Sequence, residues 1–176
     1  TWGWRFEGHH LSLNFSLVNG RIFSVTPSFF GASPAKVNEG KHKGLRVLEE
    51  EETKAFKFLK SLSPPQKKMA VLSSKPPREI LSGQDNTVQV STFLPAQGLP
   101  ITKMNPRQKG WLGEVVQVYA AKHRTQSIKQ IIRKKPLLHP TKTFFAWAGG
   151  LTPETGHYYR IQTPDFLFEY ANTQNN

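Results

Sequence analysis

The sequence contains no cysteine, and this absence excludes several classes of protein. A chain without thiols cannot form disulfide bonds, bind zinc through cysteine or use a cysteine nucleophile. The absence is compatible with both reducing and oxidising compartments, so cytoplasmic and exported locations both stay open.

Long apolar runs are also missing. Runs such as residues 144–148 fall far short of the roughly 20 residues that a membrane-spanning helix needs. We therefore predict a soluble protein without a membrane span. The 176 residues, 37% of them hydrophobic, suffice for one core, so we predict a single domain over residues 1–176. Because the chain begins at Thr1 without a methionine and stops at Asn176 in an aromatic-rich strand region, we expect a fragment truncated at both ends.

Acidic residues are few, with 12 against 24 basic ones, which gives a formal net charge of +12. The scarcity of carboxylates disfavours a glycosidase with two catalytic acids. Basic residues concentrate between positions 103 and 135, near Trp111 and Tyr119, in a composition that suits phosphate binding. No recognised nucleic-acid motif accompanies them, and exposed lysines commonly serve solubility alone. Nucleic acid is therefore a disfavoured partner.

The N-terminal residues 2–26 alternate between polar and apolar side chains, which predicts a half-buried strand. Asn19 and Gly20 suit a type I′ turn, so we predict a hairpin there. In one regular strand, Glu7 and His9 share a face and His10 points to the other.

Helices are predicted in the middle of the chain. One helix is predicted by a stripe of Leu45, Leu48, Ala55, Phe56 and Leu59, with the acidic run 49–52 near its start, where the helix dipole favours negative charge. The sequences SPPQ (63–66) and NPRQ (105–108) each resemble a helix N-cap, and a further helix is predicted after Thr125.

Residues 73–103 are rich in proline, serine and glycine, so we predict a flexible excursion with one short strand at 87–93. Three further strands are predicted at 142–148, 157–163 and 166–171. The resulting fold class is α+β, with an antiparallel or mixed sheet formed by the N- and C-terminal strands and a central helical region packed on it.

The densest polar cluster of the N-terminal half is RFEGHH, residues 5–10. Its histidines, His9 and His10, are candidate catalytic residues, and Arg5 and Glu7 are candidate substrate-binding residues. The alternative is that both histidines are structural.

A second cluster lies near the C-terminus, where strand periodicity places Tyr158, Arg160 and Gln162 on one face. A hairpin would bring Arg160 and Glu169 together, either as a structural ion pair or as catalytic residues that clamp a substrate. Tyr158 and the amides Asn172 and Gln174 are candidate substrate-binding residues, although the amides could instead cap a turn.

Five segments carry a resemblance to a known family: WGWRFEGHHLSLNF (2–15), VTPSFFGA (25–32), FAWAG (145–149), HYYRIQ (157–162) and EYANTQN (169–175). Together they resemble the domain of unknown function 3500 family, across nearly the whole chain and in order. The family name assigns no activity.

The resemblance implies that the family pattern continues past Asn176 with a His-x-His element. Such a pair could join His9 or His10, and Glu169, around a divalent transition metal such as zinc, copper or iron. Within this chain, His10 and His157 are the candidate metal ligands.

We therefore expect a metal-dependent or small-molecule-processing enzyme with its site on the terminal strands. Its reaction type is not assigned, since no phosphate loop, His-Glu-x-x-His or Gly-x-Ser-x-Gly motif occurs. The alternative is a non-catalytic protein that binds a small molecule through Trp2, Trp4, Tyr158 and Tyr170. The oligomeric state stays open.

Overall fold

The fold was analysed in a computed structural model, which describes residues 1–80, 82, 96–123, 139–164 and 166–173. The predicted strand at 87–93, the predicted helix after Thr125 and the candidate residue Gln174 lie outside these residues. The described residues divide into two compact units, Thr1–Leu48 and the residues from Glu49 onward, and each is described by itself.

The first unit is a four-stranded antiparallel sheet. Its strands are β1 (Trp2–Gly8), β2 (Leu11–Val18), β3 (Arg21–Ser24) and β4 (Ser28–Phe30). β2 pairs with each of the other three strands. The hairpin predicted at Asn19 and Gly20 is confirmed, because both residues have the positive φ angles, 50° and 73°, of a type I′ turn.

The single strand predicted from residue 2 onward is instead two strands joined by a turn at His9 and His10. The reason lies in the apolar pattern. Trp2, Trp4 and Phe6 occupy even positions, whereas the apolar residues of β2 before its last position occupy odd ones: Leu11, Leu13, Phe15 and Leu17. One regular strand would put these two sets on opposite faces, and the turn puts them on the same face, where Trp4 stacks on Phe15 at 4.0 Å between ring centroids.

The second unit packs helices on a mixed five-stranded sheet. Its helices are α1 (Glu49–Lys60), α2 (Pro64–Ala70) and α3 (Pro106–Ala121). Its strands are β5 (Val71–Ser73), β6 (Leu99–Pro100), β7 (Phe144–Gly149), β8 (His157–Gln162) and β9 (Leu167–Asn172). β7, β8 and β9 are antiparallel neighbours, β5 lies parallel to β7, and β6 pairs with β7.

The α+β class is confirmed, with one difference from the predicted arrangement. The described strands from the two ends of the chain do not share a sheet; each group pairs within its own sheet. The connections explain this result, because short turns make strands that follow one another in sequence pair with each other. Residues 9–10 join β1 to β2, and residues 150–156 join β7 to β8.

The helix start predicted at Asn105 is confirmed by a reciprocal capping box. The Asn105 Oδ1 accepts from the Gln108 backbone N–H at 2.9 Å, and the Gln108 Oε1 accepts from the Asn105 N–H at 3.0 Å. We expect Asn105→Ala to lower the free energy of unfolding by about 1 kcal/mol, because the Gln108 N–H in the first turn of α3 loses its side-chain acceptor. Urea denaturation would measure it. Asn105→Ser is the control, and equal stabilities for the two variants would contradict the role of this cap.

Candidate functional site

The helix-covered face of the second sheet carries a stack of flat side chains. Trp147 of β7 lies parallel to His157 of β8, with 5.3 Å between ring centroids and 4° between planes. Tyr170 of β9 stacks on His157 from another side at 5.8 Å, and Phe56 of α1 meets the imidazole edge-on at 4.8 Å. His157 is therefore held among aromatic rings and is 0% exposed.

Two polar contacts orient this imidazole. The Nδ1 of His157 lies 2.7 Å from the backbone oxygen of Thr155, and the Nε2 lies 3.1 Å from the Oε1 of Glu52. Glu52 is only 2% exposed, and its Oε1 also accepts a hydrogen bond from the Asn172 amide at 3.2 Å. An imidazole, a carboxylate and an amide thus meet between α1, β8 and β9.

The partners of His157 define where its protons lie. A backbone oxygen only accepts, so Nδ1 carries a hydrogen. The Nε2 lies 3.1 Å from the Oε1 of Glu52, so a proton on this nitrogen would lie next to a carboxyl oxygen.

The buried position of Glu52 follows from helical spacing. Glu52, Ala55, Phe56 and Leu59 stand at intervals of three, four and seven residues, which places the carboxylate on the buried stripe of α1. Its place in the first helical turn favours negative charge, because the helix dipole is positive there.

A second polar chain runs beside this pair. The Lys122 ammonium contacts the carboxylate of buried Glu51. The Tyr159 hydroxyl donates to the Glu51 backbone oxygen at 3.0 Å and lies 2.9 Å from the Tyr119 hydroxyl. Burial raises the pKa of both tyrosines above 10.0, so both hydroxyls stay neutral at physiological pH.

The opposite face of the same sheet holds a separate cluster. Tyr158, Arg160 and Gln162 share this face, as predicted, and all three are buried. The Tyr158 hydroxyl donates to the Glu169 Oε1 at 2.6 Å, and the Ser82 N–H donates to its Oε2 at 3.1 Å. Burial, and then the charge of Glu169, raise the pKa of Tyr158. Arg160 stands directly opposite Glu169 in the strand register, as the predicted hairpin requires.

The N-terminal candidates lie in the first unit. His9 and His10 form the β1–β2 turn, with 4.5 Å between ring centroids in an edge-on arrangement. The Arg5 Nε contacts the Glu7 Oε1 at 3.2 Å. Glu7 and His9 do not share a strand face as predicted, because β1 ends at Gly8.

The structure therefore gathers the candidates in four groups: His157 with Asn172; Tyr158 with Arg160 and Glu169; Arg5 with Glu7; and His9 with His10. The first two groups occupy opposite faces of one sheet, so they do not form one cavity within that unit. The sequence candidates do not include four residues that contact His157: Glu52, Phe56, Trp147 and Thr155.

In the described part of the chain, no group of three or more histidine, aspartate or glutamate residues is placed to hold a metal ion. Both nitrogens of His157 already contact protein oxygens. The metal-ligand roles of His10 and His157 therefore stay predictions.

The geometry defines an α+β protein with a buried histidine–carboxylate pair between a helix and a sheet. The family model described as Protein of unknown function (DUF3500) matches residues 1–176, so the chain belongs to that family, as its resemblance predicted. Comparison with curated proteins and with solved structures gave no match. None of the helices described here is long and apolar enough to cross a membrane.

Proposed function

We propose that the protein is a small-molecule-processing enzyme in which the Glu52–His157 pair transfers protons. The observation that carries this proposal is the contact of a fully buried imidazole with a buried carboxylate at 3.1 Å, while a backbone oxygen fixes the other ring nitrogen. The same logic of an oriented imidazole and a carboxylate operates in many acid–base sites.

The energetic cost of the pair supports a functional role. Moving two ionisable groups out of water is expensive, and an apolar pair of similar volume often stabilises a fold as well or better. Histidine is also the side chain whose protonation changes most readily near neutral pH. Clusters of such groups are concentrated at functional sites. A proton-transfer role gives this chain a reason to keep the pair.

Within the proposed site, His157 gives and receives the proton at Nε2, and Glu52 stabilises the charged ring. Thr155 fixes the proton on Nδ1, and Asn172 holds the carboxylate of Glu52 in place. A metal ion or a substrate atom that binds a nitrogen of His157 would have to displace one of these oxygens. The metal-ligand role of this residue stays a prediction beside the proposed acid–base role.

The other candidate site residues lie outside the Glu52–His157 pair, and their predicted roles remain predictions. Arg160 and Glu169 as catalytic residues, and Tyr158 as a substrate-binding residue, remain predictions on the opposite face. There the Tyr158–Glu169 hydrogen bond and the Arg160–Glu169 register also fit the structural ion pair considered from the sequence. His9 and His10 remain catalytic predictions in the first unit.

The test is a turnover screen with ester, lactone and hydroxy-acid substrates, in which Glu52→Gln and His157→Gln are compared with the unaltered protein. We expect each variant to lose at least about a hundredfold in kcat/KM on any substrate that turns over, because general acid–base catalysis contributes about that much or more.

Glu50→Gln is the matched control, since Glu50 lies in the same helical turn with its side chain 68% exposed. It should keep full activity. Circular dichroism would confirm that each variant is folded. Turnover retained in both folded test variants would refute the proposal, and saturable binding without turnover of any substrate would favour the non-catalytic alternative.

We propose no second function for the basic region, and nucleic acid stays a disfavoured partner. Lys122 contacts Glu51, and Trp111 is covered by two cations, with Arg107 at 4.7 Å and Lys57 at 5.4 Å from its ring centroid. These contacts use the charges and the ring within the protein. Positions 124–135 of the basic region lie outside the described residues.

A further inference from the structure

A shallow groove of about 340 Å³ lies on the first sheet, within the unit Thr1–Leu48. Its volume is near the lower end of the range of small-molecule sites, about 300 to 1,000 Å³. Among the residues that line this groove are Gly3 and Arg5 of β1, Asn14 and Ser16 of β2, and Thr26 after β3.

Strand register explains why polar groups converge here. Gly3 pairs with Ser16, and Arg5 pairs with Asn14, so these residues form adjacent rungs of one face. A Cβ atom at Gly3 would come within 2.6 Å of the Phe15 backbone oxygen. Glycine therefore permits the close approach of the two strands at this end of the groove.

The Arg5 guanidinium, which is the cation of this groove, is held in place by a contact with Glu7. The Arg5 Nε contacts the Glu7 Oε1 at 3.2 Å, and the Ser12 hydroxyl donates to the same oxygen at 3.0 Å. A guanidinium has five N–H donors in a planar fork. The contact through Nε leaves the terminal nitrogens of Arg5 to bind two oxygens of an anionic group.

The side-chain amide of Asn14, the strand partner of Arg5, is fixed so that it offers an acceptor. The Asn14 Nδ2 donates to the Pro27 backbone oxygen at 2.9 Å and to the Ser12 hydroxyl at 3.3 Å. Both amide hydrogens are thus used within the sheet, and Oδ1 is left as an acceptor. Ser16 and Thr26 add hydroxyl groups that donate or accept.

We propose that this groove binds a small hydroxylated anion. The carboxylate or phosphate of this ligand would bind the Arg5 guanidinium. The hydroxyl groups of the ligand would form hydrogen bonds with Asn14 Oδ1 and with the hydroxyls of Ser16 and Thr26. This site lies wholly in the first unit and involves neither Glu52 nor His157. The two proposals can therefore be tested separately, and the failure of one does not contradict the other.

The experiment is isothermal titration calorimetry of the full chain with D-glucuronate, inorganic phosphate and neutral D-glucose, at constant ionic strength. We expect saturable binding of at least one anion and weaker binding of glucose. Arg5→Gln should raise the Kd of that anion about tenfold or more, because a charge-assisted hydrogen-bond pair is lost. Arg5→Lys should fall between, since it keeps the charge and loses the fork.

Arg21→Gln is the matched control, because Arg21 belongs to β3 of the same sheet and does not line the groove. It removes the same charge and should leave the Kd within about twofold. Ser16→Ala should weaken binding while the charge is unchanged. Equal weakening by Arg5→Gln and Arg21→Gln would reduce the binding to general charge attraction and overturn the proposal. So would the absence of saturable binding by either anion at millimolar concentration.

Discussion

Replacing Glu52 with alanine is expected to lower the free energy of unfolding by about 1 to 3 kcal/mol, the usual cost of leaving a buried polar group without its partner. The variant leaves the His157 Nε2 facing a cavity at a site that is 0% exposed, and it deprives the Asn172 amide of an acceptor. Urea denaturation followed by circular dichroism at neutral pH would measure the loss.

Two further variants identify the cause of that loss. Glu50→Ala removes an exposed glutamate that pairs with Lys54 in the same helix, and it should cost less than about 0.5 kcal/mol. The double variant Glu52→Leu/His157→Phe replaces both polar groups with apolar ones and should recover most of the stability. A loss for Glu52→Ala no larger than that for Glu50→Ala would show that the pair is not buried as described.

The strands and helices of the second unit were largely predictable, because their signals are local. Asn105 and Gln108 lie three residues apart and cap a helix by themselves. The Arg160–Glu169 pairing also follows from two neighbouring strands and a short loop between them.

The partner of His157 was harder to predict, because Glu52 is 105 positions away in the sequence. Nothing local indicates that the first turn of α1 meets the start of β8. The signal was present in the spacing of Glu52 with Ala55, Phe56 and Leu59, which places one acid of the run on the apolar stripe. The helix dipole favours any of the four glutamates in this run, whether its side chain is exposed or buried. It therefore does not single out Glu52.

The error in the first sheet has a similar origin. Polar and apolar residues alternate on both sides of Gly8, and the change from even to odd apolar positions is a single-residue shift. Such a shift reverses every side chain of a strand, so it predicts a turn where continuous alternation was assumed. His9 and His10 lie in a turn and not in a regular strand. A metal site near them would therefore have a different geometry from the one that was predicted for a strand.

Alkaline pH is expected to unfold this protein steeply, because three buried tyrosines resist ionisation. Burial raises the pKa of Tyr119, Tyr158 and Tyr159 above the ordinary 10.0. In the unfolded chain the same hydroxyls ionise near pH 10, so the unfolded state binds fewer protons and stability falls as pH rises. Each tyrosine contributes a slope of about 1.4 kcal/mol per pH unit above that point, which gives about 4 kcal/mol per unit for the three together.

Urea denaturation at a series of pH values would measure this slope, and the ultraviolet absorbance of tyrosinate should rise together with unfolding rather than before it. Tyr158→Phe should remove about a third of the tyrosine-dependent slope, and the Tyr119→Phe/Tyr159→Phe double variant about two thirds. Val116→Ala, at a core site only 1% exposed, is the control that lowers stability without changing the slope. Ionisation of these tyrosines near pH 10 in the folded protein would contradict their burial. Such a result would mean that Tyr119 and Tyr159 do not form the neutral hydroxyl chain that links α1, α3 and the sheet.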